Sequence, residues 1–355
     1  MRVLELAGTH YEMGRQHGHQ IRDLRPILLQ AMDQRLAKLV QSEADVQPLV
    51  TELRSAWEVA ALPTVEMLRG IADALELEWD PFFRYTIASY LEDRRVATAH
   101  AEGCTAWAAA APIARDGAPI LAKNRDYRLA HLPLQCLARA RPAEGYRYAY
   151  VTSAGSPAVF SSGMNEAGLA VADTHVTSLD IGPGVARYSV EMACLEYHDS
   201  VKSALDYLRG VSHIGDGTLV VADATGDVAV FEAGHAHQGV IHPKDGFVVS
   251  TNHFVTELLR DQWVDRNPAD LRGNSERRHA RVTAALQAAQ GQVGAGWAQA
   301  LMTSHGRSQD AICRHPDIEP HSATISTVLY FPEAGEFLFA NGRPCQAKFH
   351  AWSVI

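Results

Sequence analysis

What this chain lacks narrows it first. None of its 355 residues form an apolar stretch long enough to span a membrane, so no membrane partner is expected. There is no basic surplus: 32 Lys and Arg face 41 Asp and Glu, a formal charge of −9. Without a basic face to neutralise phosphates, no nucleic-acid partner is expected either. The opening MRVLELAGTHYEMGRQHG has no basic segment followed by an apolar one, so no secretory signal is expected. No Gly-X-Y period, internal repeat or low-complexity linker is present. Cysteines are few, odd in number and scattered (Cys104, Cys136, Cys194, Cys313, Cys345), with no CxxC pair. That pattern fits reduced thiols and a cytoplasmic location better than a disulfide framework.

What is present is ordinary globular material. The chain is 47% hydrophobic and 21% charged, enough for a substantial core in one large domain or two. Its 17 histidines make chance pairs expected. His17 with His19, and His235 with His237 and His242, could supply ligands for a metal-dependent hydrolase, which stays as an alternative. No HExxH accompanies them, so neither a metal nor a cofactor is expected.

Residues 1–100 read mainly as helix, with Pro26 kinking or restarting a run from Tyr11 to about Val40. A second run covers about 44–77, and Asp80-Pro81 reads as a cap opening a third helix towards Glu92. The texture changes at 101, where short β-type runs separated by turn residues reach Val176. Helix returns over 188–210, and strands resume at TLVVADA, VAVFEAG, GVIHP and GFVVSTNHF. Helices over about 274–290 and 296–304 precede a closing hairpin, ATISTVLYFP to FLFANGRP. Two antiparallel sheets covered by helices would satisfy this order, giving a layered α+β sandwich.

Several residues could carry chemistry. Cys104, in AEGCTAW, opens a strand where the helical leader ends, and Gly103 before it lets another group approach the backbone. A small buried hydrophobe is the ordinary role of such a cysteine. Lys123 and Asp126, in KNRDY, end the strand paired with the one Cys104 begins. In a tight hairpin they return close to Cys104, where a lysine favours a thiolate and a carboxylate orients an amine. Asn252, ending GFVVSTN, can offer its amide to an oxyanion, a contribution of roughly 3–4 kcal/mol where measured. His175, ending LAVADTH, could be a second donor or base. Trp107, Phe160 and Tyr127 could line an acyl pocket, though aromatics in strands usually pack cores. Cys136, Cys194, Cys313 and Cys345 read as structural.

With these strings in order, the chain resembles the acyl-coenzyme A:6-aminopenicillanate acyltransferase family and, more distantly, the choloylglycine hydrolases, both cysteine N-terminal nucleophile hydrolases. The likeness runs through GTHYEMGRQHG (8–18), EGCTAW (102–107), KNRDY (123–127), GMNEAGLAV (163–171), STNHF (250–254), NSERR (274–278), AICRHP (311–316) and NGRPC (341–345). The resemblance implies a four-layer αββα fold preceded by a mainly helical pro-segment, in a proenzyme that cuts its own Gly103–Cys104 bond. Residues 1–103 would become a small subunit and 104–355 the catalytic one, the two products staying together. By motif, Asp126 matches the aspartate that positions the nucleophile and its amine, and Asn252 the oxyanion asparagine. Lys123 stands where choloylglycine hydrolases have arginine, His175 near where they have asparagine. Arg278 matches a structural or active-site arginine, Ser275 a serine of the same motif, and Arg314 a family position.

The activity so implied is hydrolysis of an amide by way of an acyl-enzyme, with acyl transfer to an amine as the alternative. The expected partner is a small-molecule acyl amide or acyl thioester. Lys123, Arg125, Arg128 and Arg278 could form a local basic pocket for it. Assembly into a homo-oligomer stays open.

Overall fold

A computed structural model of the chain describes residues 1–37, 39, 43–94, 103–267, 269, 271–306, 310–316 and 322–355. Val40, the expected helix end, and Glu102 of the EGCTAW string lie outside the described residues.

The leader begins not with helix but with a strand, β1 (Arg2–Gly8), followed by α1 (His10–Gln20), α2 (Arg25–Leu36), α3 (Glu43–Ala60), α4 (Leu62–Leu75), α5 (Trp79–Thr86) and α6 (Ala88–Arg94). Pro26 sits in the first turn of α2, so it restarts the helix rather than kinking it. Asp80 lies inside the first turn of α5, and the N-cap is Glu78.

Beyond Cys104 come β2 (Thr105–Ala109), β3 (Ile120–Arg128), β4 (Gln135–Pro142), β5 (Tyr148–Ser153), β6 (Ser162–Asn165) and β7 (Ala170–His175). After α7 (Arg187–Tyr197) and α8 (Val201–Gly210) follow β8 (Gly217–Ala222), β9 (Val228–Ala233), β10 (Gln238–Ile241) and β11 (Phe247–Ser250). Helices α9 (Asn274–Gln287) and α10 (Ala295–Met302) precede β12 (Ser322–Phe331), β13 (Glu336–Asn341) and β14 (Phe349–Ser353).

These strands build two sheets, ordered β1-β4-β5-β6-β7-β8-β9-β10 and β11-β2-β3-β12-β13-β14. Every pairing is antiparallel except β1 on β4, which is parallel and joins the N-terminal segment to the eight-stranded sheet. The alternation of side chains sorts the core into layers. Ala106, Leu121, Val151, Val220 and Val328 meet between the sheets. Leu219, Val221 and Phe231 point the other way, against α7, α8 and the leader helices. Trp107, Ala122 and Leu329 pack on α9 and α10. The result is the four-layer α+β sandwich, helices outside and two largely antiparallel sheets within. Among the described residues, no helix is long and apolar enough to cross a membrane.

GTHYEMGRQHG is explained by packing. Thr9 caps α1, and Glu12 reaches back to the Thr9 N–H, closing a capping box. Gln16 and Gln20 hydrogen-bond the outer backbone edge of β1 at Ala7 and Glu5, covering what would be an open sheet edge. Gly14 of α1 and Gly70 of α4 let the two helices lie close together. A Cβ on Gly14 would stand 2.1 Å from the Met67 carbonyl oxygen, and one on Gly70 2.2 Å from that of Tyr11.

Gly14→Ala should therefore destabilise the protein. Alanine favours helix by about 0.5–1 kcal/mol, but overpacking of this kind costs about 1–3 kcal/mol. A lowered urea midpoint is expected, and a raised one would refute the close helix contact.

Candidate functional site

Cys104 lies immediately before β2, at the end of the six-stranded sheet. The β2–β3 register sets Thr105 opposite Asn124 and Ala106 opposite Lys123, which carries Arg125 and Asp126 to the level of Cys104. The connection between these strands is longer than a tight turn, yet the pairing still places KNRDY beside the cysteine. Cys104 is buried, and its thiol points at the Asp126 carbonyl oxygen, 3.8 Å away.

Arg278, on the first turns of α9, organises the surroundings. Its Nη1 donates to the Cys104 carbonyl oxygen at 2.6 Å and to the Thr105 hydroxyl at 3.0 Å. Its Nη2 donates to Asn252 Oδ1 at 2.7 Å, while Asn274 Oδ1, one helical turn back, holds its Nε at 2.8 Å. Because arginine only donates, the oxygen of the Asn252 amide must face Arg278 and its NH2 must face away. That NH2 gives one hydrogen bond to the His175 carbonyl oxygen at 2.8 Å.

The charges are arranged around the cysteine. Lys123 is fully buried, donates to Asp173 and faces the Cys104 thiol. Burial alone would lower its affinity for a proton, but Cys104 and Asp173 outweigh that and hold it above the usual lysine range. Arg278 is pushed down to about 10, first by burial and then by Arg314, and still carries its charge at neutral pH. Asp126 is fully buried and raised to about 6 by burial, against the opposing pull of Arg314, Arg278, Thr324 and Lys123. Thr324 donates to its Oδ1 at 2.6 Å. Its Oδ2 has no hydrogen-bond partner among the described residues, with Arg314 Nε 4.0 Å away. Arg314 also packs against Gly103, where a Cβ would fall 1.6 Å from its Nη1. Three cations, Lys123, Arg278 and Arg314, stand against two carboxylates, Asp126 and Asp173, a surplus that favours anionic species at Cys104, a thiolate or an oxyanion.

Lys123, Asp126, Asn252 and Arg278 thus gather around Cys104 and Gly103. Others take different places. The Ser275 hydroxyl accepts the Asn252 N–H at 2.7 Å and contacts His253 at 2.8 Å, so it positions the asparagine from behind. The His175 ring is paired with Asp93 of α6, 2.9 Å away, and only its carbonyl meets Asn252. Tyr127 points to the leader, where Arg35 donates to its hydroxyl at 3.0 Å. With Phe160, His131 and the leader residues Tyr85 and Ser89 it lines a cavity of about 30 Å³, room for a water or two. Trp107 faces the opposite layer, its Nε1 against the Met302 sulfur, because residues of odd number in β2 turn outward. Arg128 pairs with Glu92 of the leader. Nothing in the sequence singles out Asp173, Thr324 and Asn274, because their importance arises only from contact across strands and helices.

The histidines considered as ligands do not converge. The fully buried His17 Nε2 accepts the Gly155 N–H, His235 meets the His213 carbonyl, and His237 pairs with Asp180.

Removing the Arg278 guanidinium, as in Arg278→Leu, would strand the Cys104 carbonyl, Asn252 Oδ1 and Asn274 Oδ1. Each buried acceptor so exposed costs about 1–3 kcal/mol, giving an expected loss of about 3 kcal/mol or more in urea unfolding. A loss below about 1 kcal/mol would contradict the clamp.

No curated protein sequence matches the chain. Among solved structures it is similar to a mutant of the conjugated bile acid hydrolase from Clostridium perfringens, with a TM-score of 0.47 and 13% identity over 70% of this chain and 96% of that one. It is also similar to penicillin V acylase from Agrobacterium tumefaciens (TM-score 0.41, 17% identity, 67% of this chain and 83% of that one). The Caenorhabditis elegans ortholog of N-acylethanolamine-hydrolyzing acid amidase gives a TM-score of 0.47 and 14% identity, over 70% and 99%. A family model covers residues 113–346, a span that holds Asp126, Asn252, Arg278 and Arg314 and begins just after Cys104. By that match the chain belongs to the acyl-coenzyme A:6-aminopenicillanic acid acyl-transferase family.

Proposed function

We propose that this protein is a self-processing amidohydrolase whose nucleophile is Cys104, made N-terminal by cleavage of the Gly103–Cys104 bond. The observation that carries the reading is the convergence of Asp126, Asn252, Arg278 and Lys123 on one buried cysteine beside a glycine.

In processing, the Cys104 sulfur adds to the Gly103 carbonyl carbon. The Gly103–Cys104 C–N bond then breaks, and the nitrogen leaves as an amine after taking a proton. Water hydrolyses the resulting thioester, releasing the Gly103 carboxylate and restoring the thiol. The new α-amine, with an ordinary pKa of about 8, stands beside a thiol of about 8.5, so it can take the thiol proton near neutral pH. Asp126 Oδ2 is the acceptor for the ammonium so formed. A freed chain end tends to fray, and the bond from Arg278 to the Cys104 carbonyl holds it in place.

On a substrate amide, the thiolate adds to the carbonyl carbon. The second hydrogen of the Asn252 NH2 is available for the oxyanion. The amine leaves with the proton from the α-ammonium, and water hydrolyses the acyl-thioester. An acceptor amine in place of water gives acyl transfer, the alternative reading, which the family's description also accommodates. Incubating processed protein and an acyl donor with and without candidate amines separates the two. An unchanged hydrolysis rate with no transfer product eliminates the transferase.

Residues 1–103 form the small subunit and 104–355 the catalytic one in this scheme. The leader supplies β1 to the eight-stranded sheet and buries Leu28 and Trp57 completely, the latter with its Nε1 on the Gly184 carbonyl at 3.0 Å. Release would expose that apolar surface, so the pieces stay together. Denaturing mass spectrometry should show two polypeptides divided before Cys104, and native mass spectrometry one particle. Cys104→Ala should remain a single inactive chain; full activity of that variant, or of an uncut wild type, would end the proposal.

The pH dependence follows from Asp126. Its value of about 6 lies above that of an unfolded aspartate, so the folded precursor takes up a proton as pH falls through about 6. Burial of the charge costs stability above that pH, and the cost is relieved below it. The anion needed to receive the developing ammonium is then lost, so processing should slow below pH about 6. In the cleaved protein the adjacent α-ammonium lowers the Asp126 value, moving the acid limb of amidase activity below that of processing. Identical limbs would refute the Asp126 assignment.

A further inference from the structure

A second cluster of reactive side chains gathers around the loop that carries Arg314, and none of its members belongs to the site described above. His305 follows α10, Cys313 and His315 flank Arg314 in the loop before β12, and Cys345 sits in the turn after β13. One ligand atom from each of these four lies within 4.8 Å of all the others. The two histidine Nε2 atoms are 3.0 Å apart, and His315 Nε2 is 3.2 Å from Cys345 Sγ. Among the described residues this is the one such gathering.

We infer that His305, Cys313, His315 and Cys345 form a structural site for a tetrahedral, sulfur-accepting divalent cation, with zinc the representative ion. The donor set, two imidazoles and two thiolates, is the Cys2His2 combination that suits this class of ion. Zn–N of about 2.0 Å and Zn–S of about 2.3 Å give tetrahedral edges of roughly 3.3–3.8 Å, against separations here of 3.0 and 3.2 Å for two pairs and none above 4.8 Å. The ligands stand on backbone that is already tied. The N–H groups of Ile312 and Cys313 both donate to the Ser304 carbonyl, fixing the loop of Cys313 beside that of His305. Arg314 is strapped to Thr324 of β12 in both directions, and the Cys345 turn closes through Gln346 and Ala347 N–H to the Arg343 carbonyl.

Binding requires both thiols to release their protons to solvent, and it leaves the His315 proton on Nδ1. Arg343, whose Nη1 now lies 3.4 Å from that Nδ1, turns outward in the bound state. The ion takes no part in bond making. It would lock the loop on both sides of Arg314, whose guanidinium packs on Gly103 and neighbours Asp126. The site stands whether or not Cys104 is the nucleophile.

The full chain, expressed with zinc and purified without chelator, should carry about one zinc per chain by elemental analysis. Cobalt-loaded protein should show the intense visible bands of tetrahedral cobalt and a thiolate-to-cobalt charge-transfer band. Bound zinc should protect Cys313 and Cys345 of the wild type from alkylation, a readout that needs no variant to fold. Cys345→Ser and His315→Asn should lower retained metal at least about tenfold, while His237→Gln retains it. Any of these results would overturn the site: a zinc-loaded chain that retains no metal, metal retained in both ligand variants, octahedral cobalt spectra, or a Cys313–Cys345 disulfide in the isolated protein.

Discussion

One buried guanidinium holds this site in register. Arg278 reaches from α9 across the outer layer to the first residues of β2, and there it holds the Cys104 carbonyl, the Thr105 hydroxyl and the Asn252 amide. Burying such a charge is costly unless its donors are satisfied, and here the partners are ones that must themselves be fixed. The guanidinium fork joins strand β2 to the end of β11, and Asn274 and Ser275 on the same helix turn fix the fork and the Asn252 backbone. A point charge on a flexible stem could not impose that geometry.

Around this clamp the electrostatics are deliberately uneven. Lys123, Arg278 and Arg314 converge near Asp126, Lys123 being shared with Asp173, and Asp126 keeps one oxygen without a hydrogen bond among the described residues. A buried acceptor in this condition stores free energy that a new cation beside it would release. The same residue, raised by burial, is the group in the cluster that titrates between acid and neutral pH. The arrangement is that of a site set for anionic chemistry, in line with a family named for acyl transfer.

The leader belongs to the fold rather than lying on it. It provides an edge strand, most of one helical layer, and direct contacts to residues near the site: Asp93 to the His175 ring and Arg35 to the Tyr127 hydroxyl. The small cavity around Tyr127 is walled on one side by leader residues, so its volume is set by how the leader packs. Arg314 performs a similar double duty on the opposite side. It faces Gly103 and Asp126 with its side chain while its backbone is fastened to β12 within a loop whose neighbouring residues are Cys313 and His315.

The layered α+β fold was legible in the linear pattern because strand, helix and turn preferences are local, whereas the roles expected for the residues around Cys104 came from the family resemblance. Alternating apolar runs bounded by Gly, Asp and Asn turns mark strands wherever they occur, and the cysteine with its lysine, aspartate and asparagine lies at the ends of such runs. Period-two alternation also decides which aromatics face the sulfur, and it sends Trp107 away from it, a consequence that composition alone does not display. Other features were invisible because they are made by pairing over long separations. The short polar-apolar run at the start reads as nothing in particular until β4 lies beside it in parallel register. His175 is assigned to the leader only because α6 brings Asp93 to its ring. Cys313 and Cys345 carry no ligand spacing, yet two loops and a strand hairpin set them within reach of two histidines. Sequence by itself determined which residues prefer strand, helix or turn, since those preferences act over a few neighbours. Tertiary structure decided which charges, thiols and rings share a volume, since that depends on how distant segments pack.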